Sequence, residues 1–428
     1  MLKKVTVLFW LYMFTPALMA MSQVPTERHT IIQFTNSTPH TLYAYIEEGN
    51  NVDLLTTEVM PLSTVDVANI TRTNVEQNIT ISLSNADYSF NLTQKVTEDE
   101  LAFGFDSSEL TIAPQTDNTI QRFEIQLADN DNTIAFNSEN LHQGGKVNYV
   151  LQLHDKKPTI GPGNEFSLLS YNIWATTIFG SKKVDSRLTE MPAVMSGYDV
   201  LVLTEVFDPI RTSKLLKQLS KEYSFTSSEM FKLGKIMQSG TRILTPWPVE
   251  AEKSLKYTNC SGIQCAATRG VIYTRINKQG YIYHVFATHT QSSDDDTNRT
   301  ARLAQLEEMG EFIREQNIPA DEAVILAGDF NVNKIGLPGD RDQMAYILNA
   351  TEPENKGHNL SFDSNTNNWA EKPYLEYLDY TLTGNDNLQP ISASQEIFAP
   401  RVLTKSLWGN WDLSDHYAAR GYFIYPTK

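Results

Sequence analysis

Two stretches of the chain, VLVLTEV (residues 200–206) and AVILAGDFN (residues 323–331), run almost wholly apolar and then turn to Glu205, Asp329 and Asn331. A run this apolar has no face to give to water, so it belongs to a sheet covered on both sides. An unpaired carboxylate in such a core is costly, so the strand must open at its polar end into a cleft. Together these constraints predict buried strands in layers, with chemistry gathered at one end.

The same kind of run recurs in FSLLSYNI, GVIYTRI, YIYHVFATHT, YLDYTLT and HYAARGYFIY. Between them, RTSKLLKQLSKEY repeats Leu215, Leu216 and Leu219, and TNRTARLAQLEEMGEFIREQN sets Leu303, Leu306, Met309 and Phe312 on one helical face. Apolar strands with intervening helices predict an α/β layered fold over residues 166–428. Residues 21–154 read differently. TIIQF, TLYAYIE, NITISLS, YSFNLTQ, RFEIQLA and VNYVLQLH alternate apolar and polar side chains between Asn, Asp, Ser and Gly. That spacing predicts an all-β, sandwich-like domain without a chemical constellation. DKKPTIGPGNE, residues 155–165, with two Pro and two Gly, reads as the linker between them.

Charge excludes one class of partner. The net charge is −16, and residues 1–155 alone hold 7 Lys and Arg against 19 Asp and Glu. A nucleic-acid binder exploits a basic face, so no nucleic acid is expected. Lys3 and Lys4, an apolar run over residues 5–14, and Ala17 and Ala20 have the pattern of a secretory signal peptide over residues 1–20. The protein is therefore expected to be secreted. The apolar run is short for a membrane span. The two cysteines, Cys260 and Cys265, have no nearby His to complete a zinc site, and export favours a disulfide between them.

Polar residues capable of chemistry stand at several strand ends: Asn172, Glu205 followed by Phe207 and Asp208, His289, Asp329 with Asn331, and finally Asp415 with His416. Each has an ordinary alternative. Asn172 can cap a turn, Asp329 and Asn331 can form an Asx turn, His289 can be a satisfied core residue, and Asp415–His416 can be a polar pair at a sheet edge. As a set, oxygen donors such as Glu205 and Asn172 suit a hard cation, and two imidazoles at the same rim can supply a base and an electrostatic partner.

The ordered motifs LSYNI, LTEVFD, THTQ, AGDFNVN, YLDYTL and LSDHY resemble the metal-dependent phosphodiesterases of the DNase I-like endonuclease/exonuclease/phosphatase superfamily. EVFD, RLAQL and GDFNVNK resemble the bacterial sphingomyelinase C branch in particular, over about residues 165–425. The resemblance implies a four-layer α/β sandwich with its site at one end of the paired sheets. It implies Mg²⁺, with Mn²⁺ or Co²⁺ as substitutes, held by Glu205 and Asn172. It further implies His416 as the base, with Asp329 and Asn331 positioning nucleophile and phosphate and His289 stabilising phosphate oxygens. Asp379 would stand behind the imidazoles, and Asp415 would tune the site. The implied reaction is hydrolysis of sphingomyelin, or of another choline phospholipid, by a monomer in peripheral contact with a membrane.

Phe207 and Asp294 are candidates for the substrate pocket. Asp294 belongs to the acidic run Asp294–Asp296, whose alternative role is to start a helix near Asp296. Relatives commonly have Asn where this chain has Thr204, which puts a hydrogen bond beside the metal ligand in doubt. Many also carry a long aromatic hairpin before SDHY. Here the segment is short, and Trp408 and Trp411 are its candidate membrane contacts, supplemented by the β-domain. The competing readings are a phosphatidylcholine-directed or nuclease-like phosphodiesterase of the same fold, and a membrane-binding protein that has lost the chemistry.

Overall fold

The computed structural model describes residues 28–128, 130–139, 145–154, 157–176 and 180–428. The leader expected over residues 1–20 lies outside them, as do the first two residues of the linker.

The N-terminal part is all β. One six-stranded sheet is built on His29–Ser37 and Lys146–Leu153, and a second on Leu42–Glu48, Gln77–Ser84, Ser89–Val96 and Leu101–Ser107. Alternation decides which face each strand buries. In Ser89–Val96, Phe90, Leu92, Gln94 and Val96 are buried and the residues between them are more open. The inward sets of both sheets, including Phe34, Ile81, Phe103, Phe136 and Tyr149, form one core. The first and last strands of this part pair in parallel, Phe34 opposite Tyr149, so the chain leaves the sandwich beside where it entered.

The C-terminal part has two mixed sheets. The first orders Phe225–Thr226, Arg242–Thr245, Val200–Val206, Glu165–Ala175, Ala418–Ile424, Ser392–Phe398 and Glu354–Asn355. The second orders Val249–Lys256, Gly270–Lys278, Tyr281–His289, Ala323–Asp329, Asp379–Gly384 and Ala350–Thr351. Strand parity sets the layers. Leu168, Val200, Val202 and Ile243 from the first sheet meet Ile272, Val285, Ile325 and Ala327 from the second. Their neighbours face outward. Leu169, Tyr171 and Ile173 pack under the helices Val184–Val194 and Pro209–Leu219. Tyr273, Phe286 and Leu326 pack under Asp296–Glu315 and Pro338–Leu348. The result is the expected helix–sheet–sheet–helix stack. Gly328 allows a close approach at its centre: a Cβ there would lie 2.0 Å from the Thr288 carbonyl oxygen.

The loop before His416 is not an exposed tip. Trp411 is 4% exposed and packs with Leu403 against Ala135 and Val150 of the sandwich, with Trp408 partly buried beside them. The two indole rings meet edge to face at 4.9 Å, and Trp408 Nε1 donates to Asn137 Oδ1 at 3.0 Å. The expectation that Trp408 and Trp411 reach a membrane is therefore corrected: their apolar surface is used to dock the β-domain. Arg401 fastens the same joint. Its guanidinium donates to Ser37 Oγ (3.1 Å) and the Leu62 carbonyl (2.9 Å) of the sandwich, and pairs with Asp412 at 2.7 Å.

Candidate active site

Register brings the site together. His289 pairs with Asp329 across two parallel strands, and Asp329 pairs with Asp379 across the next, antiparallel one. The three residues thus form a row at the end of the second sheet. On the first sheet, Asn172 lies opposite Thr204, one residue before Glu205. Asn172 reaches across the stack, its Nδ2 donating to Asp329 Oδ2 at 3.1 Å. The two sheets therefore share one polar end.

Backbone strain occurs there. Trp174, Glu205 and Asn331, all non-glycine residues at strand ends bearing the candidate groups, have φ of 48°, 57° and 51°. Such conformations persist only where surrounding contacts impose them. Two contacts are visible: Asn172 Oδ1 accepts from the Trp174 amide at 3.1 Å, and Asp329 Oδ1 from the Asn331 amide at 3.0 Å.

The partner of His416 is Asp379. His416 Nδ1 and Asp379 Oδ2 are 2.8 Å apart, and both residues are buried. The adjacent Asp415 instead accepts from Ser414 Oγ at 3.1 Å. The hydrogen-bonded pair is therefore His416–Asp379, and Asp415, in the same bend as His416, acts on the imidazole only through its charge. His416 Nε2 points towards Asp329, with Oδ2 at 3.9 Å, and the Phe362 ring stands edge-on to the imidazole at 5.1 Å. Ser361 Oγ accepts from the Asp379 amide at 3.1 Å.

The electrostatics divide the two histidines. Burial alone would lower His416, but the Asp379, Asp329 and Asp415 carboxylates overcome it and hold the imidazole well above its ordinary pKa. His289 is pushed well below its ordinary value by burial and by the positive charges of Arg269 and His416. Its Nε2 lies 3.5 Å from Asp329 Oδ2, and its Nδ1 is buried without a hydrogen-bond partner. Glu205 is raised to about 7, by burial and then by the Asp415 and Asp329 carboxylates. Asp379 is raised to about 6, by burial and Asp329, against the pull of His416.

A divalent cation fits this donor set. Glu205, Asp329 and Asp415 are mutually repelling carboxylates, and Asn172 adds an amide oxygen, all hard donors of the kind Mg²⁺ takes. Asp379 Oδ1 is buried and unpartnered. Asp329, Asp379 and His416 also lie close enough together to hold an ion. In that trio the imidazole Nδ1 and Asp379 already bond to each other, as the Asn172 oxygen does with the Trp174 amide.

Other expected residues fall nearby. Phe207 is half-buried, with its ring against Gly240. Asp294 pairs with Arg302 at 2.9 Å and accepts from Asn333 Nδ2 at 3.3 Å, so its carboxylate is partly engaged within the rim. The N-cap of the following helix is Asp295, which accepts from the Asn298 amide at 3.2 Å. Cys260 and Cys265 are disulfide-bonded. Thr204 is buried with Oγ1 unpartnered, the expected consequence of having no amide there.

Two residues were not singled out from sequence. Arg269 donates to the His289 and Thr290 carbonyls at 3.3 and 2.5 Å and places positive charge near Glu205 and Asp329. Buried Arg187 donates to the carbonyls of Ile173 (3.0 Å), Trp174 (2.9 Å) and Leu413 (2.8 Å), tying the end of the Asn172 strand to the loop before His416. An isolated arginine carries no sequence signal for such a carbonyl-collecting role.

Comparison with known proteins gives the same picture. A model of the endonuclease/exonuclease/phosphatase family matches residues 169–416. Sphingomyelinase C of Bacillus cereus is 29% identical over 291 residues, covering 59% of this chain and 87% of that protein. A crystal structure of beta toxin from Staphylococcus aureus superposes with a TM-score of 0.57 at 28% identity, covering 60% of this chain and 99% of the toxin. A double mutant of that toxin, crystallised with bound magnesium ions, gives a TM-score of 0.55 at 26% identity over 60% of this chain and 99% of that one.

Proposed function

This chain belongs to the endonuclease/exonuclease/phosphatase family, in its bacterial sphingomyelinase C and beta-toxin branch, and from that premise we propose that it is a secreted, Mg²⁺-dependent sphingomyelin phosphodiesterase. The observation that carries the reading is the buried His416–Asp379 pair beside Asp329, facing a carboxylate cluster built on Glu205.

In this reading Asp379 fixes His416 through Nδ1, leaving Nε2 to take a proton from the attacking water. Oxygen of that water bonds to phosphorus, the bond from phosphorus to the ceramide oxygen breaks, that oxygen takes a proton from solvent as His416 later returns its own, and the products are phosphocholine and ceramide. Asp329 and Asn331 position the water and the phosphate. His289, kept neutral by burial and by Arg269, donates to a phosphate oxygen. Glu205 and Asn172 would hold Mg²⁺, which when bound supplies Lewis-acid stabilisation of charge on the phosphate. Asp329 and Asp415, two of the carboxylates that raise His416, stand beside Glu205, and a cation held there would offset their pull on the imidazole. Asp415 tunes Glu205 through its charge. Phe207 and Asp294 lie at the rim as candidates for head-group contact.

The test is phosphocholine release from sphingomyelin, from phosphatidylcholine and from neither, with a DNA control, in Mg²⁺ and in EDTA. Release from sphingomyelin in Mg²⁺ alone supports the proposal. Preferential release from phosphatidylcholine, or cleavage of DNA, would move it to another phosphodiesterase of the same fold.

A further inference from the structure

With Trp408 and Trp411 taken up by the β-domain, a lipid-hydrolysing enzyme needs another way onto a bilayer. Among the described residues, one group of exposed apolar side chains stands on a pair of loops joined to the cleft. Leu233 is 95% exposed, Ile236 79%, Ile263 76% and Phe231 49%. They come from two loops stitched into one surface. The amides of Ile236 and Met237 donate to the Ala266 carbonyl at 2.8 and 3.0 Å, and the Thr268 amide returns a bond to the Met237 carbonyl at 3.0 Å. The Lys232 amide donates to Thr268 Oγ1 at 3.0 Å, and the disulfide Cys260–Cys265 closes the second loop. Gly234, with φ 88° and open space around it, makes the turn at the tip. The side chains stand in water on a braced backbone.

This surface is built onto the strand ends of the site. The Val206 amide, next to Glu205, donates to the Gly240 carbonyl at 2.9 Å, and Gln238 Nε2 donates to the Val206 carbonyl at 2.9 Å. On the other loop, Gln264 Oε1 accepts from Arg269, the arginine that also holds the His289 carbonyl. The apolar tip is flanked by Lys232 and Lys235, in a chain whose net charge is −16. The Lys232 ammonium donates to the Tyr257 carbonyl (3.1 Å), and that of Lys235 to the Cys265 carbonyl (2.7 Å) and Cys260 Sγ (3.6 Å), which leaves each at least one N–H for an acceptor outside the protein.

We propose that the paired loops carrying Leu233, Ile236 and Ile263 are the surface by which this protein contacts a lipid bilayer, the aliphatic tips entering the head-group region and Lys232 and Lys235 meeting lipid phosphates. An apolar patch rimmed by cations, beside a cleft, matches the apolar-below, phosphate-above profile of a membrane interface. The proposal deepens the phosphodiesterase reading and rests on it for the choice of a lipid occupant.

The test compares the wild-type chain with Leu233→Ser/Ile236→Ser/Ile263→Ser in co-sedimentation with vesicles of sphingomyelin and phosphatidylcholine, with thermal melting of each protein alongside. Because the three side chains are exposed, the variant should melt as wild type does. Its vesicle partition coefficient should fall at least about tenfold, and its turnover of a short-chain sphingomyelin kept below micelle concentration should stay within twofold. Vesicle binding within twofold of wild type, or no vesicle binding by wild type, overturns the proposal. So does an equal loss of turnover on the monomeric substrate, which would place the loops in the support of the site. A wild-type dimer that the variant converts to monomer would assign the patch to a second copy of the chain, and also overturns it. A wild type that binds vesicles through this patch but hydrolyses no sphingomyelin would sink the function reading and leave the binding surface standing.

Discussion

Arg401→Met isolates the joint between the β-domain and the catalytic loop. In the wild type, Arg401 Nε meets Asp412 Oδ1 at 2.7 Å with both side chains almost completely buried. The same guanidinium donates to Ser37 and Leu62 of the sandwich, and to Thr366 and Tyr417, the residue after His416. Methionine fills much of the space but leaves Asp412 buried without its cation. Breaking a buried pair from one side typically costs about 3–5 kcal/mol. For a domain of this size that shifts the melting temperature by on the order of 10 °C. The variant should also acquire a pH signature. Burial pushes the Asp412 carboxyl up and Arg401 pulls it back; without Arg401 the upward push is opposed only by the Asn368 amide, and the carboxyl rises further. A folded pKa above the unfolded one means that the native state binds more protons between the two values, so stability falls as pH rises through that window. Arg401→Met should therefore regain stability relative to wild type as pH falls from 7 towards 5. Adding Asp412→Asn removes the stranded charge and keeps an oxygen for the Asn368 amide, which donates to Asp412 Oδ2 at 3.1 Å. The double variant should recover at least about 2 kcal/mol and lose the pH trend. Urea and thermal unfolding of the three proteins, followed by circular dichroism, reads all of this. A single variant within about 1 kcal/mol of wild type, or a double variant no better than the single, would refute the view that this pair holds the joint.

Asp379→Asn keeps the shape and an acceptor oxygen but should lower kcat by about 10²–10⁴-fold, because the imidazole loses the carboxylate that orients it and stabilises the imidazolium it becomes; steady-state turnover of sphingomyelin by the folded variant, with its melting temperature alongside, checks it. Glu205→Gln should raise the Mg²⁺ concentration for half-maximal activity at least about tenfold, and an unchanged metal titration would take Glu205 out of the cation site. Removal of residues 21–158 uncovers Trp411 and Leu403. It should therefore lower the melting temperature and reduce activity on vesicles and on dispersed substrate alike, whereas a loss confined to vesicles would make the sandwich a membrane module.

The long apolar strands were legible because burial on both faces leaves only one kind of side chain, and their polar ends were legible as breaks in that rule. VILAGDFN delivered Asp329 and Asn331 to the site from pattern alone. The partner of His416 was not legible from pattern; the resemblance alone put Asp379 near the imidazoles. His416 pairs with Asp379, 37 residues earlier, because the bend before Ala418–Ile424 of the first sheet meets the end of Asp379–Gly384 of the second, while sequence adjacency offered Asp415. The Trp408–Trp411 segment illustrates a second limit. Indole rings suit a membrane interface and a domain interface equally well, and only the Ala135 and Val150 surface of the other domain decides between them. In the sandwich, Thr64–Thr71 breaks the alternation that marks a strand, since the neighbours Val67 and Ala68 are both buried, and Asn132–Ser138 is buried throughout although most of its residues are polar.

The central claim is that the shared polar end of the two sheets is a metal-dependent phosphodiesterase centre with His416 as its base. The most direct measurement is phosphocholine release from sphingomyelin by wild type and by His416→Ala, each in Mg²⁺ and in EDTA, with the fold of the variant checked by its melting temperature. The account predicts release by wild type in Mg²⁺, none in EDTA, and a loss of at least about 10²-fold in a folded His416→Ala. A folded variant that turns over at the wild-type rate, or a wild type indifferent to EDTA, would contradict it.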